Sequence, residues 1–362
     1  MLKFIHGADF HLDAPFTSLP ADQAAQRRTE QRELLDRLAE LVEREQADLV
    51  LLSGDLLDSD HAYYETVQAL SRTLGRMQAR VFIAPGNHDF YAPRSPYATT
   101  PWSENVHIFT SDRVETLDLP ELGCSVHGAA FTSPDCDRSP LAGFHAPRDG
   151  RIHLMALHGE VEGKARYGSI ATADIAASNL NYLALGHIHA ASGAQRAGET
   201  TWAYPGCPEG RGFDELGEKG VLVGSVDGGA VDLQFVPLCR RKYEILTVDV
   251  SDGAEAALAA ALPQNAGADS YRILLTGESD GLDLSALTAL AAPSFYSLSL
   301  RDQTHVRRDL WSRAGEDSLT GLFLRDLKGR LDAAQTDAQR ATIEKAVRFG
   351  LAALENREDC CP

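Results

Sequence analysis

The amino-acid sequence predicts an α/β protein: a four-layer α/β/β/α sandwich followed by a small α/β cap domain and a helical C-terminal tail. Short apolar runs alternate with amphipathic helical patterns up to about residue 84, which indicates βαβ units and a largely parallel sheet. Strand patterns dominate from about residue 113 to residue 236. Two sheets packed face to face, with the helices outside, would bury all of these strands.

The elements of the first part follow from their apolar patterns. Predicted strands cover residues 2–6, 49–52 and 81–84. The run at 49–52 is apolar throughout, which is typical of a strand buried on both faces. Predicted helices cover 61–78 and 26–46, and the latter has one apolar stripe of Leu34, Leu35, Leu38, Leu41 and Val42.

Later elements are mostly strands. They are predicted at 123–131, 152–157, 182–185, 221–226 and 231–236. The segment 204–220 is rich in glycine and proline and is predicted to be a long loop.

The pattern changes near residue 240, so we expect domains at 1–239, 240–303 and 304–362. The middle one has a strand–helix–strand–helix–strand pattern at 243–250, 254–262, 271–276, 284–290 and 295–300. The last contains two helices with apolar stripes: Leu319, Phe323, Leu327 and Leu331, then Ile343, Val347, Leu351 and Leu354. These stripes either pack within the chain or offer a docking surface to a partner helix.

Charge and composition restrict the class of protein. Lys and Arg number 34 against 52 Asp and Glu, giving a net charge of −18, which disfavours tight DNA binding through basic side chains alone. Bound cations would supply the missing positive charge at a phosphate. Six scattered cysteines, no signal-peptide pattern and no apolar run of membrane-spanning length predict a cytoplasmic protein with reduced thiols.

Five short polar motifs follow predicted strands. They are Asp9-Phe10-His11, Gly54-Asp55-Leu56-Leu57-Asp58, Gly86-Asn87-His88-Asp89, His158-Gly159 and Gly186-His187-Ile188-His189. Ligand sites in open α/β sheets lie beyond the carboxyl ends of the strands, so we expect these motifs to converge. Asp9 and His11, two apart in an extended stretch, would project on the same side.

The residue types of these motifs suit a pair of metal ions. Asp55 has two carboxylate oxygens with which to bridge the ions, and Asn87 adds a neutral oxygen donor. His158, His187 and His189 add imidazole nitrogens. Mixed carboxylate, amide and imidazole ligation suits Mn, Fe or Zn better than Ca or Mg. Two such ions, about 3.5–4 Å apart, would clamp a phosphate and activate a bridging hydroxide.

The order of these motifs resembles that of the calcineurin-like metallophosphoesterases. That resemblance implies one metal on Asp9, His11, Asp55 and His189, and the other on Asp55, Asn87, His158 and His187. It also implies that His88 is the general acid for the leaving oxygen and that Asp89 orients its ring. The motifs themselves leave Asp58 open between support of the site and capping of its loop.

The opening residues 4–16, the loop 204–220 and the domain layout resemble the SbcD-type DNA repair exonucleases, and most closely their YhaO-like bacterial branch. This implies a manganese-dependent nuclease acting on DNA as a homodimer, with an SMC-like coiled-coil ATPase supplied in trans. Asp58 stands where several nuclease relatives have a histidine assigned to exonuclease action.

Candidate phosphate contacts are Arg240, Arg241 and Lys242 at the domain junction, and Arg307, Arg308 and Arg313 beyond the cap. Two other functions remain open. One is a phosphodiesterase or phosphatase for a small molecule such as a cyclic nucleotide, which the acidic charge favours. The other is a non-catalytic adaptor subunit of the ATPase.

Overall fold

Strands and helices alternate as expected in the first part of the chain. The computed structural model describes residues 1–17, 19–59, 62–163, 166–305 and 310–354. The strands up to residue 237 are β1 (Leu2–Gly7), β2 (Leu49–Leu52), β3 (Arg80–Ile83), β4 (Val106–Ile108), β5 (Glu115–Leu119), β6 (Cys124–Gly128), β7 (Ile152–His158), β8 (Tyr182–Gly186), β9 (Gln195–Ala197), β10 (Thr200–Ala203), β11 (Gly220–Asp227) and β12 (Ala230–Pro237). The helices of this part are α1 (Ala21–Glu45), α2 (Tyr64–Gly75), α3 (Pro96–Thr99) and α4 (Thr172–Ala177).

These strands form two six-stranded sheets. The first has the order β12-β11-β1-β2-β3-β4 and the second β5-β6-β7-β8-β10-β9. Strands β1 to β4 are parallel to one another, as are β6, β7 and β8. The motif-bearing strands of each sheet therefore end at the same edge.

The apolar side chains define the layers. One cluster joins the facing sides of the two sheets, through residues such as Phe4, Leu51 and Phe82 of the first and Leu154 and Tyr182 of the second. A second cluster packs α1 and α2 on the outer face of the first sheet, and a third places Ile175 of α4 on the outer face of the second. The predicted α/β/β/α sandwich is confirmed.

The predicted elements differ from the structure mainly at their ends. Helix α1 begins at Ala21, directly after Pro20, five residues before the predicted start. Helix α2 is confined to Tyr64–Gly75, and His61 of the predicted helix lies outside the described residues. Strands β4, β5, β9 and β10 were not predicted, because they are three to five residues long and lie at or near a sheet edge, where apolar patterning is weak.

Beyond residue 242 the predicted alternation is confirmed. Strands β13 (Tyr243–Asp249), β14 (Ser270–Thr276) and β15 (Ser297–Asp302) form a three-stranded sheet in that order. Helices α5 (Ala254–Ala261) and α6 (Leu284–Ala291) lie between them in the chain. One compact unit comprises Met1–Leu246, Pro263–Arg272 and Ala292–Ser299, and the other comprises Thr247–Leu262, Ile273–Ala291 and the chain from Leu300. The three-domain division remains a prediction.

The tail contains helices α7 (Leu319–Asp332) and α8 (Asp337–Leu354), which pack against each other. Leu324 and Val347 are fully buried, whereas Leu319 is 70% exposed and Leu322 is 58% exposed. Of the predicted stripe of α7, Phe323, Leu327 and Leu331 are partly buried and Leu319 is exposed, and the buried face also includes Leu324, which was not predicted. Among the described residues, no helix is both long and apolar enough to cross a membrane.

Candidate metal centre

Two backbone segments run side by side at the ends of β1 and β2. The amide of Asp9 donates to the carbonyl oxygen of Gly54 at 3.0 Å, and the amide of His11 donates to that of Asp55 at 2.9 Å. In the second sheet, His158 ends β7 in register with Gly186 of β8. The predicted ligands from both sheets meet at one edge, where ligand atoms of Asp9, Asp55 and His158, and of Asp9, His11 and His189, lie within 4.8 Å of one another.

The backbone of this edge is strained. Asp9, His11, Asp55 and His187 have φ angles of 56°, 44°, 50° and 103°, in a region that non-glycine residues rarely adopt. The expectation that Asp9 and His11 are brought together by an extended stretch is therefore wrong: left-handed turns aim them. Such strain persists where surrounding bonds hold it, and it is common at functional sites.

Two glycines permit the close approach of the loops. A side chain at Gly86 would collide with the carboxylate of Asp55, and one at Gly186 would collide with the carbonyl oxygen of Ser53. Gly86 therefore lets its loop lie directly against the loop that carries Asp55. Gly186 lets the second sheet approach the backbone of the first.

His11 and His189 face each other through their Nε2 atoms, which lie 3.2 Å apart. The Nδ1 of His11 is 3.0 Å from Asp58 Oδ1, and that of His189 is 2.7 Å from Glu215 Oε1. A carboxylate can only accept a hydrogen bond, so Nδ1 carries the hydrogen, and in a neutral ring Nε2 carries a lone pair. Two lone pairs aimed at each other suit a cation, and carboxylate-bound histidines are typical of metal ligands.

His158 presents the same arrangement on the other side. Its Nδ1 lies 2.9 Å from the carbonyl oxygen of Ser53, which can only accept, so Nδ1 carries the hydrogen. Its Nε2 then points a lone pair toward Asn87 Oδ1 at 3.0 Å and Asp55 Oδ2 at 3.4 Å. Three acceptors converge here, as a cation requires.

The carboxylates of Asp9 and Asp55 are buried, and buried negative charges are stable only with positive charge nearby. Both oxygens of Asp9 accept from the amide of His187, at 3.0 and 3.1 Å. Burial, and then the charge of Asp55, raise the pKa of the Asp9 carboxyl well above its usual range. Burial alone would also raise the pKa of Asp55, but the imidazoles of His158 and His11 bring it below its usual value.

The remaining predicted histidine ligand, His187, lies beside His158. Its ring centroid lies 5.2 Å from that of His158 and 5.1 Å from that of Tyr167. Burial, followed by the neighbouring His158, lowers the pKa of His187 to about 4. A neutral imidazole is the form that binds metal. By donor chemistry and burial, the clustered aspartates and histidines are candidate ligands for divalent cations.

Comparison with known proteins now gives the family. The model of the calcineurin-like phosphoesterases matches residues 2–191. The chain belongs to this family. Membership implies metal-dependent hydrolysis of phosphoesters with divalent ions, consistent with the clustered aspartates and histidines.

An uncharacterized metallophosphoesterase, YhaO of Bacillus subtilis, is 29% identical to this chain over 263 residues. The alignment covers 69% of this chain but only 64% of YhaO. The chain thus spans less than two thirds of that relative.

The chain holds His88 at the rim of the cluster. The side chain is exposed, and its Nδ1 lies 3.1 Å from the carbonyl oxygen of Asp58. Its amide donates to Asp55 Oδ1 at 2.9 Å, which ties the residue to the predicted bridging carboxylate.

Asp89 contacts the loop backbone and not the ring of His88. Its carboxylate accepts from the Tyr97 hydroxyl at 2.6 Å and from the amides of Asp55, Leu56, Leu57 and Gly86 at 2.7–3.2 Å. The prediction that Asp89 orients His88 is corrected accordingly: the carboxylate fixes the second and third motifs against each other.

Three residues near the site were missed or left open. Asp58 supports His11, which answers the question that the sequence left. Glu215 and Arg211 lie in the predicted loop after β10, and Arg211 Nη1 is 3.2 Å from Asp58 Oδ1. The composition of that loop indicated only irregular structure, and these contacts depend on where it folds.

The basic cluster at the junction is engaged with acidic side chains. Arg241 is 6% exposed, lies 2.6 Å from Glu30 and stacks on Tyr296 at 3.5 Å, so its predicted phosphate contact is wrong. Arg240 pairs with Glu33 at 2.8 Å and Lys242 lies 3.9 Å from Asp269. Arg307 and Arg308 lie outside the described residues.

Proposed function

We propose that this chain is a manganese-dependent phosphodiesterase that cleaves DNA, as a nuclease of DNA repair. The observation that carries the proposal is that two groups of hydrogen-bond acceptors converge near Asp55, each without a donor between its members. His11 and His189 aim lone pairs at each other at 3.2 Å, and His158 aims one at Asp55 at 3.4 Å. A cation would satisfy each arrangement, and the Asp55 carboxylate would serve both.

In this proposal, Asp9, His11, Asp55 and His189 hold one ion, and Asp55, Asn87, His158 and His187 hold the other. Two bound ions supply the charge that polarises a phosphoryl group and makes water a stronger nucleophile. Manganese is proposed because the donors mix carboxylate and amide oxygens with imidazole nitrogens.

His88 is proposed to protonate the leaving oxygen. Its Nδ1 faces a carbonyl oxygen, so Nδ1 keeps its hydrogen and Nε2 is the atom that transfers the proton. The exposed ring at the rim of the cluster can reach a bound substrate. Asp89 contributes indirectly, by fixing the loop that carries His88.

DNA is proposed as the substrate because the resemblance to SbcD-type nucleases extends beyond the catalytic sandwich. A sheet and a helical tail follow residue 242, and neither is needed to enclose a small molecule. The net charge of −18 supports the rival proposal of a small diester substrate, because few basic side chains are available to hold a long polyanion.

The test is a cleavage assay on end-labelled linear duplex, hairpin and single-stranded DNA in Mn²⁺, with a cyclic dinucleotide alongside. We expect DNA products that disappear on chelation and in Asp55→Asn, and that persist in Arg76→Met, which alters an exposed ion pair on the helical face. Hydrolysis of the cyclic dinucleotide with intact DNA would favour the small-molecule enzyme. Protein that binds two Mn²⁺ and hydrolyses nothing would favour the adaptor.

A further inference from the structure

Arg211 bridges two carboxylates beside the metal centre. Its Nη1 lies 3.2 Å from Asp58 Oδ1, and its Nη2 lies 2.8 Å from Glu215 Oε1. Its amide also donates to Glu215 Oε2 at 2.7 Å. The side chains of Arg211 and Asp58 are about one-quarter exposed and that of Glu215 is buried, so these ion pairs are only partly open to solvent.

Each of these carboxylates holds a histidine of the same predicted ion. Asp58 Oδ1 is 3.0 Å from His11 Nδ1, and Glu215 Oε1 is 2.7 Å from His189 Nδ1. One guanidinium therefore fixes both supports of the facing imidazole pair. Arginine suits this role because its rigid fork of donors can engage two acceptors at once.

The other predicted ion position is anchored differently. His158 Nδ1 contacts the carbonyl oxygen of Ser53 at 2.9 Å, a neutral backbone acceptor that no side-chain change removes. Among the described contacts, Arg211 donates to Asp58 and Glu215, and its Nη2 also lies 3.1 Å from His189 Nδ1, whereas none of these contacts is with His158 or His187. Loss of Arg211 should thus disturb one position and spare the other.

We infer that Arg211 is a positioning residue that sets the affinity of the Asp9–His11–His189 position for its ion, through Asp58 and Glu215. The inference rests on the proposed two-metal site. Without the guanidinium, Asp58 and Glu215 lose their common side-chain partner, and the imidazoles are held less firmly by the acceptors that fix their tautomer and orientation. Loss of such supporting contacts typically weakens metal binding about 10–100-fold.

A Coulomb effect acts in the opposite direction. Removing a positive charge near the site would by itself favour cation binding. The two carboxylates already offset the charge of Arg211, so we expect the loss of positioning to be the larger effect.

The experiment is calorimetric titration of Mn²⁺ into chelator-treated full-length protein. The wild type should bind two ions. Arg211→Met should weaken one binding event about 10–100-fold and leave the other unchanged, and Arg211→Lys should be intermediate because an ammonium cannot fork to both carboxylates. Arg76→Met, the exposed-pair control, should match the wild type, and melting curves of the metal-free variants should check folding.

Variants of two predicted metal ligands show which of the two Mn²⁺-binding events Arg211 affects. In a His158→Ala background the remaining event should still weaken with Arg211→Met, whereas in a His11→Ala background it should not. Equal weakening of both events, no weakening, or tighter binding in Arg211→Met overturns the inference. If Arg211→Met does not fold, unchanged binding in Arg211→Lys and Glu215→Gln overturns it instead. A wild type that binds fewer than two ions contradicts the proposed two-metal site, so the two failures are distinguishable.

Discussion

At the scale of single residues, the site depends on which ring nitrogen carries the hydrogen. His158 and His88 both face backbone carbonyl oxygens through Nδ1, at 2.9 and 3.1 Å. Both therefore direct Nε2 toward the reaction space. The surroundings of that atom differ: His158 points at Asp55 and Asn87, whereas His88 is exposed. The first arrangement suits a ligand and the second suits a proton donor.

Replacement of His88 by alanine should separate these roles. We expect His88→Ala to retain its metal and to lose about 10²–10⁴-fold in turnover, the usual contribution of general acid catalysis. The loss should be smaller for a nitrophenyl diester, whose leaving group needs little protonation, than for an alkyl diester. His145→Ala, at another exposed histidine, should leave both rates unchanged. Equal losses on the two diesters would rule out the acid role.

At the scale of elements, Asp89 fixes the loops after β2 and β3. Its carboxylate accepts hydrogen bonds from four backbone amides and from the hydroxyl of Tyr97 in α3. The loops that carry Asp55 and His88 are therefore held by one buried side chain. Burial and the charge of Asp55 raise the pKa of Asp89, and these hydrogen bonds oppose that rise.

Tyr97→Phe should destabilise the fold by about 1.5–3 kcal/mol, the range for a hydrogen bond to a charged group. The ring itself would still pack on Trp102, so the change isolates the hydroxyl. The free energy of unfolding in urea measures it. Tyr63→Phe, at a tyrosine that is 58% exposed, is the matched control. A loss no larger than that of the control would show that the hydroxyl does not support Asp89.

The elements and the convergence of the motifs were largely predictable, whereas the supporting contacts were not. Uninterrupted apolar runs such as Leu49–Leu52 specify buried strands, and polar motifs after them specify one edge of the sheets. Arg211 and Glu215 lie in an irregular loop. The contact of Arg211 with Asp58, 153 positions earlier in the chain, arises only when that loop folds over the site. The predicted phosphate contact of Arg241 failed for the same reason, because its partner Glu30 lies on α1, far from Arg241 in the sequence.

At the scale of the whole molecule, the tail is proposed to dock an SMC-like coiled-coil ATPase in a homodimeric assembly. Helices α7 and α8 pack against each other. Leu324 and Val347 are buried, whereas Leu319, Leu322 and Phe349 are substantially exposed. An apolar helical face of this kind suits another amphipathic helix.

Deletion from Gly315 onward should leave turnover on small diesters intact and abolish co-purification with the ATPase. Leu319→Ser with Leu322→Ser should have the same effect, because both side chains are exposed and their loss creates no cavity. Leu290→Ser, at a 43% exposed leucine of α6, should retain the partner. Normal binding by the deletion, or its failure to fold, would make the tail a structural brace.

The central claim is that two ions share Asp55, and the most direct test is the number of Mn²⁺ ions per chain in fully active enzyme. Metal content and diesterase rate are measured on the same samples as Mn²⁺ is added back after chelation. The proposed site predicts that the rate reaches its maximum only when two ions are bound per chain, and that Asp55→Asn weakens both. Full activity with one tightly bound ion per chain would contradict it.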